Sequence, residues 1–275
     1  MKLSATNFKS IRSIDGYRFS PVNLLAGVNS SGKTSLTQVL LLVKQTIENH
    51  TKEPFLLEGE YFTAPRFTDI FYSKAASKEG ITLSFAFGKE DIENLNDYRT
   101  YASRLEQVVY SLTVKPDGEK LAIITVKLEI IDADNSNPLS IEFIRKSSGV
   151  NKGLYEIRMG QDVRSHNLIG YGQSVDFNIS SNDRFSLDFT NLFPLYGEKW
   201  EDNRTMQTFS FLAIKNIYAT FLAYFSKMYY IGPIRVKPEP IISYTHDDFP
   251  HVGIDGKFTR FILHKYFDRI EEETK

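Results

Sequence analysis

An α/β fold with a large antiparallel β component is what this 275-residue sequence predicts, and three observations carry the prediction. A glycine-rich loop, Gly27 to Thr34, lies between an apolar run and a helix-patterned segment. The middle of the chain alternates apolar and polar residues with the period of two that a strand with one wet face requires. Aromatics are abundant, 21 Phe and 15 Tyr against one Trp, and many sit in the alternating or β-branched surroundings that favour strands.

Taken in order, a first strand is expected around Lys2 to Phe8, a turn near Asp15-Gly16, and a second strand near Tyr17 to Phe19. A third, apolar strand, Val22 to Ala26, is expected to run into the glycine loop. From Lys33 the pattern is helical: Leu36, Leu40, Val43 and Ile47 recur at spacings of four, three and four along one stripe, and Val39, Leu41 and Leu42 widen it, so the helix should be buried on most sides. In the middle, Ile124, Val126, Leu128 and Ile130 alternate with Thr125, Lys127 and Glu129; Pro116-Asp117-Gly118 supplies turn chemistry before them, and Leu105 to Val114 is the candidate hairpin partner. Shorter strands are expected around Ile141 to Ile144, Leu154 to Met159, Val175 to Ile179 and Phe185 to Phe189. The last part should hold a helix from about Thr205 to Ser226, a short strand Tyr229 to Ile231, a loop with Pro233, Pro238 and Pro240, and a final helix from about Lys257 to Ile270. The expected organisation is thus a loop-bearing core over 1–55, a β-rich middle over 56–200 and a helical C-terminal part over 201–275, all within one domain of 1–275.

Composition narrows the function classes. With no cysteine, disulfide frameworks, zinc–thiolate sites and cysteine nucleophiles are excluded, and the absence fits a reducing compartment. Lys2 is not followed by an apolar signal core, and the longest aliphatic run, Val39 to Val43, is far below the ~18 residues needed to span a bilayer, so the expectation is a cytoplasmic protein without a membrane partner. The 33 basic and 34 acidic residues nearly cancel, leaving a net charge of −1 and no global signature of a polyanion partner.

The strongest chemical signal is Gly27-Val28-Asn29-Ser30-Ser31-Gly32-Lys33-Thr34, a complete G-x-x-x-x-G-K-[ST]. Two glycines let the backbone curl so that successive N–H groups point inward, and the helix that follows adds its positive N-terminal end. Lys33 would set a point charge against the β- and γ-phosphates of ATP, and the Thr34 hydroxyl would join the shell of a phosphate-bound Mg²⁺. Gly27, Asn29, Ser30, Ser31, Gly32, Lys33, Thr34 and Ser35 are therefore the candidate nucleotide-binding residues, with Lys33 the catalytic candidate and Thr34 the metal ligand. In a chain of this length the pattern arises by chance on the order of one time in a hundred. The expected fold class is accordingly a P-loop NTPase.

The opening Leu3-Ser4-Ala5-Thr6-Asn7-Phe8-Lys9-Ser10-Ile11, together with Asn23 through Thr34, resembles the N-terminal lobe of the SMC-like branch of the ABC ATPases, and in particular bacterial AAA-type ATPases akin to the RecF and OLD families. Tyr230-Ile231-Gly232-Pro233-Ile234-Arg235, with Pro238 behind it, and Glu58-Gly59-Glu60-Tyr61 resemble two further segments of those proteins. The resemblance implies a single ATPase domain of the ABC/SMC-like kind, a role in DNA repair or phage defence, and contacts from Lys9 and Arg12 to phosphate or base. It also implies a signature motif, a Walker B strand ending in Asp-Glu and a switch histidine, and these are missing. Ser147-Ser148-Gly149 lacks the leucine and second glycine of a signature. Leu128-Glu129-Ile130-Ile131-Asp132 is interrupted by Glu129 and followed by Ala133, and reads better as an amphipathic strand.

Other candidates carry less. Arg235 reads as a structural ion pair before a phosphate contact, and Gln38 and Gln45, on the helix after the loop, receive no assignment. His246, Asp247, Asp248 and His251 match no standard zinc spacing, and His50, His166 and His264 have no triad around them. The functional expectation is an ATP- and Mg²⁺-binding ATPase subunit, a homodimer or a complex with a chain supplying the missing lobe, with nuclease, effector or nucleic acid as further partners that the resemblance alone implies. The alternative is a non-hydrolysing scaffold clamped by ATP. A nucleotide or small-molecule kinase would need a lid arginine cluster and an acidic acceptor site, and neither is evident in the sequence.

Overall fold

The computed structural model describes residues 1–28, 32–73, 76–93, 105–132, 139–147, 153–159, 185–190, 192–199, 205–207, 212–232, 252–259, 261–263 and 266. It is a mixed α/β fold built on one large antiparallel sheet. The strands are β1 (Lys2–Phe8), β2 (Ile11–Arg18), β3 (Ile81–Gly88), β4 (Leu105–Asp117), β5 (Lys120–Asp132), β6 (Leu139–Ser147), β7 (Leu154–Met159), β8 (Phe185–Thr190), β9 (Phe193–Lys199) and β10 (Thr205–Gln207). All ten form a single sheet in the order β10-β9-β8-β7-β6-β5-β4-β3-β1-β2. From β3 onward every strand pairs with its sequence neighbour, whereas the β1–β2 hairpin is added through β1 on the free side of β3. The helices are α1 (Lys33–Glu48), the one-turn α2 (Ala76–Glu79) and α3 (Lys89–Glu93), and α4 (Leu212–Ser226).

Alternation builds the core. In β3 the odd residues Ile81, Leu83, Phe85 and Phe87 are buried while Thr82, Ser84 and Ala86 lie on the half-exposed face. Phe85 and Phe87 meet Phe221 of α4 edge-on at 5.3 and 6.2 Å between ring centroids, and Tyr110 of β4 stacks on Phe193 at 4.4 Å. Such ring pairs add to the burial of large apolar area. Tyr110 is fully buried and donates its hydroxyl to the Leu192 carbonyl at 2.6 Å; burial pushes its pKa well above the ordinary value. On the opposite face hydroxyls pair across strands, Thr82 with Thr113 at 2.9 Å and Ser84 with Ser111 at 2.8 Å.

The structure reproduces β1, the β4–β5 hairpin, β6, β7, β8 and the long buried α1. Ten of the sixteen α1 residues are buried. Four expectations are corrected. Asp15-Gly16 is not a turn between strands: Gly16, at φ +58°, forms a bulge inside β2, its N–H donating to Ser4 Oγ at 2.9 Å. The hairpin turns at Lys9-Ser10 instead, where Lys9 holds φ +48°. Residues 22–26 form no strand; they are exposed. Thr205–Gln207 is strand β10, so the helix begins later, at Leu212. Residues 229–231 likewise form no strand. The expected strand at 175–179 and most of the expected helix at 257–270 lie outside the described residues, although 259, 261–263 and 266 are helical. The chain divides into two compact units, Met1–Ser226 and Lys227–Lys275. In the second, Gly232 N–H donates to the Ile254 carbonyl at 2.8 Å. No helix among the described residues is long and apolar enough to cross a membrane.

Candidate functional site

The glycine motif closes on itself. Lys33, the first residue of α1, turns its ammonium back over the loop entrance and donates to the carbonyls of Gly27 at 2.7 Å and Val28 at 2.6 Å. Gly32 caps α1 at φ +94°, a left-handed conformation that side-chain-bearing residues rarely adopt. The helix then starts with Leu36 N–H on the Gly32 carbonyl at 3.3 Å.

The N-terminus of α1 has no side-chain cap and no acidic residue in its first turn. The first N–H groups of a helix have no intrahelical acceptor, and together with the macrodipole they make a positive end suited to an anion. Lys33 is half-buried, and Thr34 is exposed on the same turn. Ser35 is buried, and its Oγ lies 2.6 Å from Ser10 Oγ of the β1–β2 turn. Asn29, Ser30 and Ser31 lie outside the described residues.

The β1–β2 turn beside this end is tied from behind. Lys9 N–H donates to the Ile70 carbonyl at 2.8 Å and Tyr72 N–H to the Asn7 carbonyl at 2.9 Å. The Lys9 ammonium sits 4.9 Å from the Phe62 ring centroid, and partial burial lowers its pKa, opposed by the charge of Asp69. Arg12 is exposed at the start of β2. The structure therefore brings the Lys9-Ser10 turn to the helix start through Ser10, while the Lys9 ammonium packs over Phe62.

The other half of α1 is closed. Gln45, fully buried, donates to the carbonyls of Leu56 at 2.7 Å and Phe62 at 2.9 Å and accepts from Tyr61 N–H at 3.0 Å and Phe62 N–H at 2.9 Å. Both ends of its amide are used, and the loop 56–62 is stitched to the helix. Gly59 lies so close that a Cβ there would sit 2.3 Å from Gln45 Cδ. Lys44, also buried, pairs with Glu48 and donates to the Phe225 carbonyl of α4 at 3.1 Å. The Tyr61 hydroxyl is pushed up to about 12 by burial, then by the charge and hydrogen bond of Glu48, then by Glu60. The Glu58-Gly59-Glu60-Tyr61 segment thus serves as the partner of Gln45.

Of the remaining candidates, Leu128-Glu129-Ile130-Ile131-Asp132 closes strand β5, with Leu128 and Ile130 buried and Glu129 paired to Lys127 at 2.8 Å on the wet face. Ser147 ends β6. Gln38 is half-buried on α1, and His50, at φ +47°, follows that helix. His166, Arg235, His246, Asp247, Asp248, His251 and His264 lie outside the described residues. Among the described residues no three His, Asp or Glu side chains converge as metal ligands.

The segment entering the loop is unusual in its exposure. Val22, Leu24 and Val28 are 87%, 91% and 79% exposed, and among the described residues the backbones of Leu24, Leu25 and Ala26 have no hydrogen-bond partner. Ser10 was not singled out from sequence; its only signal is its place in the Phe8-Lys9-Ser10-Ile11 resemblance. No protein-family model matches the chain, and no curated protein or solved structure is significantly similar to it.

Proposed function

We propose that the chain binds Mg²⁺-ATP at the glycine loop and the start of α1, as a P-loop NTPase lobe of the ABC/SMC-like kind. The observation that carries this reading is the placement of the described residues: the Lys33 ammonium on the Gly27 and Val28 carbonyls, at a helix N-terminus capped by Gly32, beside the exposed Thr34. The donor set is cationic, with N–H groups and one hydroxyl and no carboxylate in the first helical turn, which fits a polyphosphate with its magnesium. Thr34 would hold the metal, which would neutralise phosphate charge there. Lys33 would leave the Gly27 and Val28 carbonyls for the β- and γ-phosphates and stabilise charge as the γ-phosphoryl group passes to water.

The exposed apolar run 22–28 supports a second part of the reading, nucleotide-dependent association with a second lobe or subunit that covers this segment and completes hydrolysis. An exposed apolar segment in which the Leu24, Leu25 and Ala26 backbones have no hydrogen-bond partner among the described residues is a template for an added strand. The alternative is an ATP-clamped scaffold without turnover. Calorimetric titration with Mg²⁺-ATP, run beside Lys33→Ala, tests the common core. Binding by the wild type and its loss in the variant is expected; equal affinity would refute the reading. Phosphate release then separates an ATPase from a scaffold that retains one ATP per protomer.

A further inference from the structure

Resting on that reading, we infer that Ser10 is a positioning residue for the phosphate loop, holding the start of α1 in its ligand-ready geometry from a different element. Ser10 is the described side chain from outside 27–35 that hydrogen-bonds to this helix end. Its Oγ is 2.6 Å from the buried Ser35 Oγ, and 3.3 Å from where a Cβ on Gly32 would stand. One hydroxyl thus touches both sides of the junction, the left-handed cap and the first helical turn.

The hydrogen bond has a specific consequence for the backbone. A serine inside the first turns of a helix competes for nearby backbone groups when its hydroxyl is free. With Ser10 beside it, the Ser35 hydroxyl has a side-chain partner in place of the backbone groups of the first turn, which favours leaving those N–H groups to a phosphate. Ser10 is itself held through its neighbours: Lys9 N–H on Ile70, Tyr72 N–H on Asn7, and the Lys9 ammonium over Phe62. These contacts tie the β1–β2 turn to residues 70–72 and, through Ser35, to the start of α1, and such preorganisation lowers the ordering cost of binding.

The test is the dissociation constant for Mg²⁺-ATP of the wild type, Ser10→Ala, Ser10→Thr, Ser35→Ala and the double variant Ser10→Ala/Ser35→Ala, with Lys33→Ala as reference and a melting temperature for each. Loss of one hydrogen bond predicts about fivefold weaker binding in Ser10→Ala and in Ser35→Ala. The double variant should be no weaker than either single one, because both changes remove the same contact. Ser10→Thr, which keeps the hydroxyl, should stay within about twofold of the wild type, and the melting temperatures should not follow the affinities. Binding by Ser10→Ala equal to the wild type, or losses that multiply in the double variant, would overturn this inference while Lys33→Ala still abolishes binding. Absence of binding by the wild type would overturn the underlying reading, and this inference with it.

Discussion

The two ends of α1 are built on opposite rules. At its C-terminal half every polar group that enters the interior is matched: Gln45 makes four hydrogen bonds, Thr46 donates to the Leu42 carbonyl and accepts from Leu56 N–H, and Lys44 has both a carboxylate and a carbonyl. At its N-terminus the helix has no side-chain cap, the lysine rests on carbonyls of its own loop, and Thr34 is exposed. A buried polar group without a partner costs free energy, so the closed half is scaffold. A helix end left open at the surface costs little and is available to an anion.

The contrast makes predictions of decreasing size. Gln45→Ala would strip the Leu56 carbonyl and the Tyr61 and Phe62 N–H groups of their partner and open a hole, a loss on the order of 3 kcal/mol read by urea denaturation. A variant as stable as the wild type would erase the distinction. Lys33→Ala should leave stability within about 0.5 kcal/mol while weakening Mg²⁺-ATP binding by a hundredfold or more, about 2.8 kcal/mol. Leu24→Asp, at a nearly fully exposed site, should change stability by less than about 0.5 kcal/mol. It should nevertheless prevent nucleotide-dependent association, followed by analytical ultracentrifugation with and without Mg²⁺-ATP.

The smallest effect concerns the far part of the sheet, where charges are again matched. Glu156 of β7 lies 2.7 Å from Lys146 Nζ and 2.5 Å from Arg158 Nε, and these hydrogen bonds hold its carboxyl down at about 2 against an ordinary 4.5. Its folded pKa is depressed, so its contribution to stability is present above about 4.5 and is lost as pH falls towards about 2. Glu156→Gln should flatten the acid limb of the stability profile in that window, by lowering stability above about pH 4.5 and leaving it nearly unchanged near pH 2. An unaltered acid limb in urea titrations would show that the pair adds nothing.

Much of the scaffold could be read from the chain because period and turn chemistry agree with packing. Lys2–Phe8, Leu154–Met159 and the Lys120–Asp132 alternation are strands at the positions the pattern gives. Ile81–Gly88 carries the same alternation and was passed over beside longer signals. The turn expected at Asp15-Gly16 is a bulge: Gly16 is left-handed, a conformation that a bulge uses as readily as a turn does. Residues 22–26 were misread because apolar character reports a tendency to be covered, and a strand forms only where a neighbour supplies the ladder. At the site, Gly32, Lys33 and Thr34 were legible as a motif. Ser10 was not, since its role arises from a contact 25 residues away in sequence.

The most direct test is the melting temperature of the wild type, Lys33→Ala and Gln45→Ala, each with and without saturating Mg²⁺-ATP. A ligand at one hundred times its dissociation constant stabilises by about 2.7 kcal/mol. The account predicts a clear rise for the wild type, an unchanged starting temperature and no rise for Lys33→Ala, and a lowered starting temperature for Gln45→Ala. A rise retained in Lys33→Ala, or a starting temperature that falls as far in Lys33→Ala as in Gln45→Ala, would contradict it.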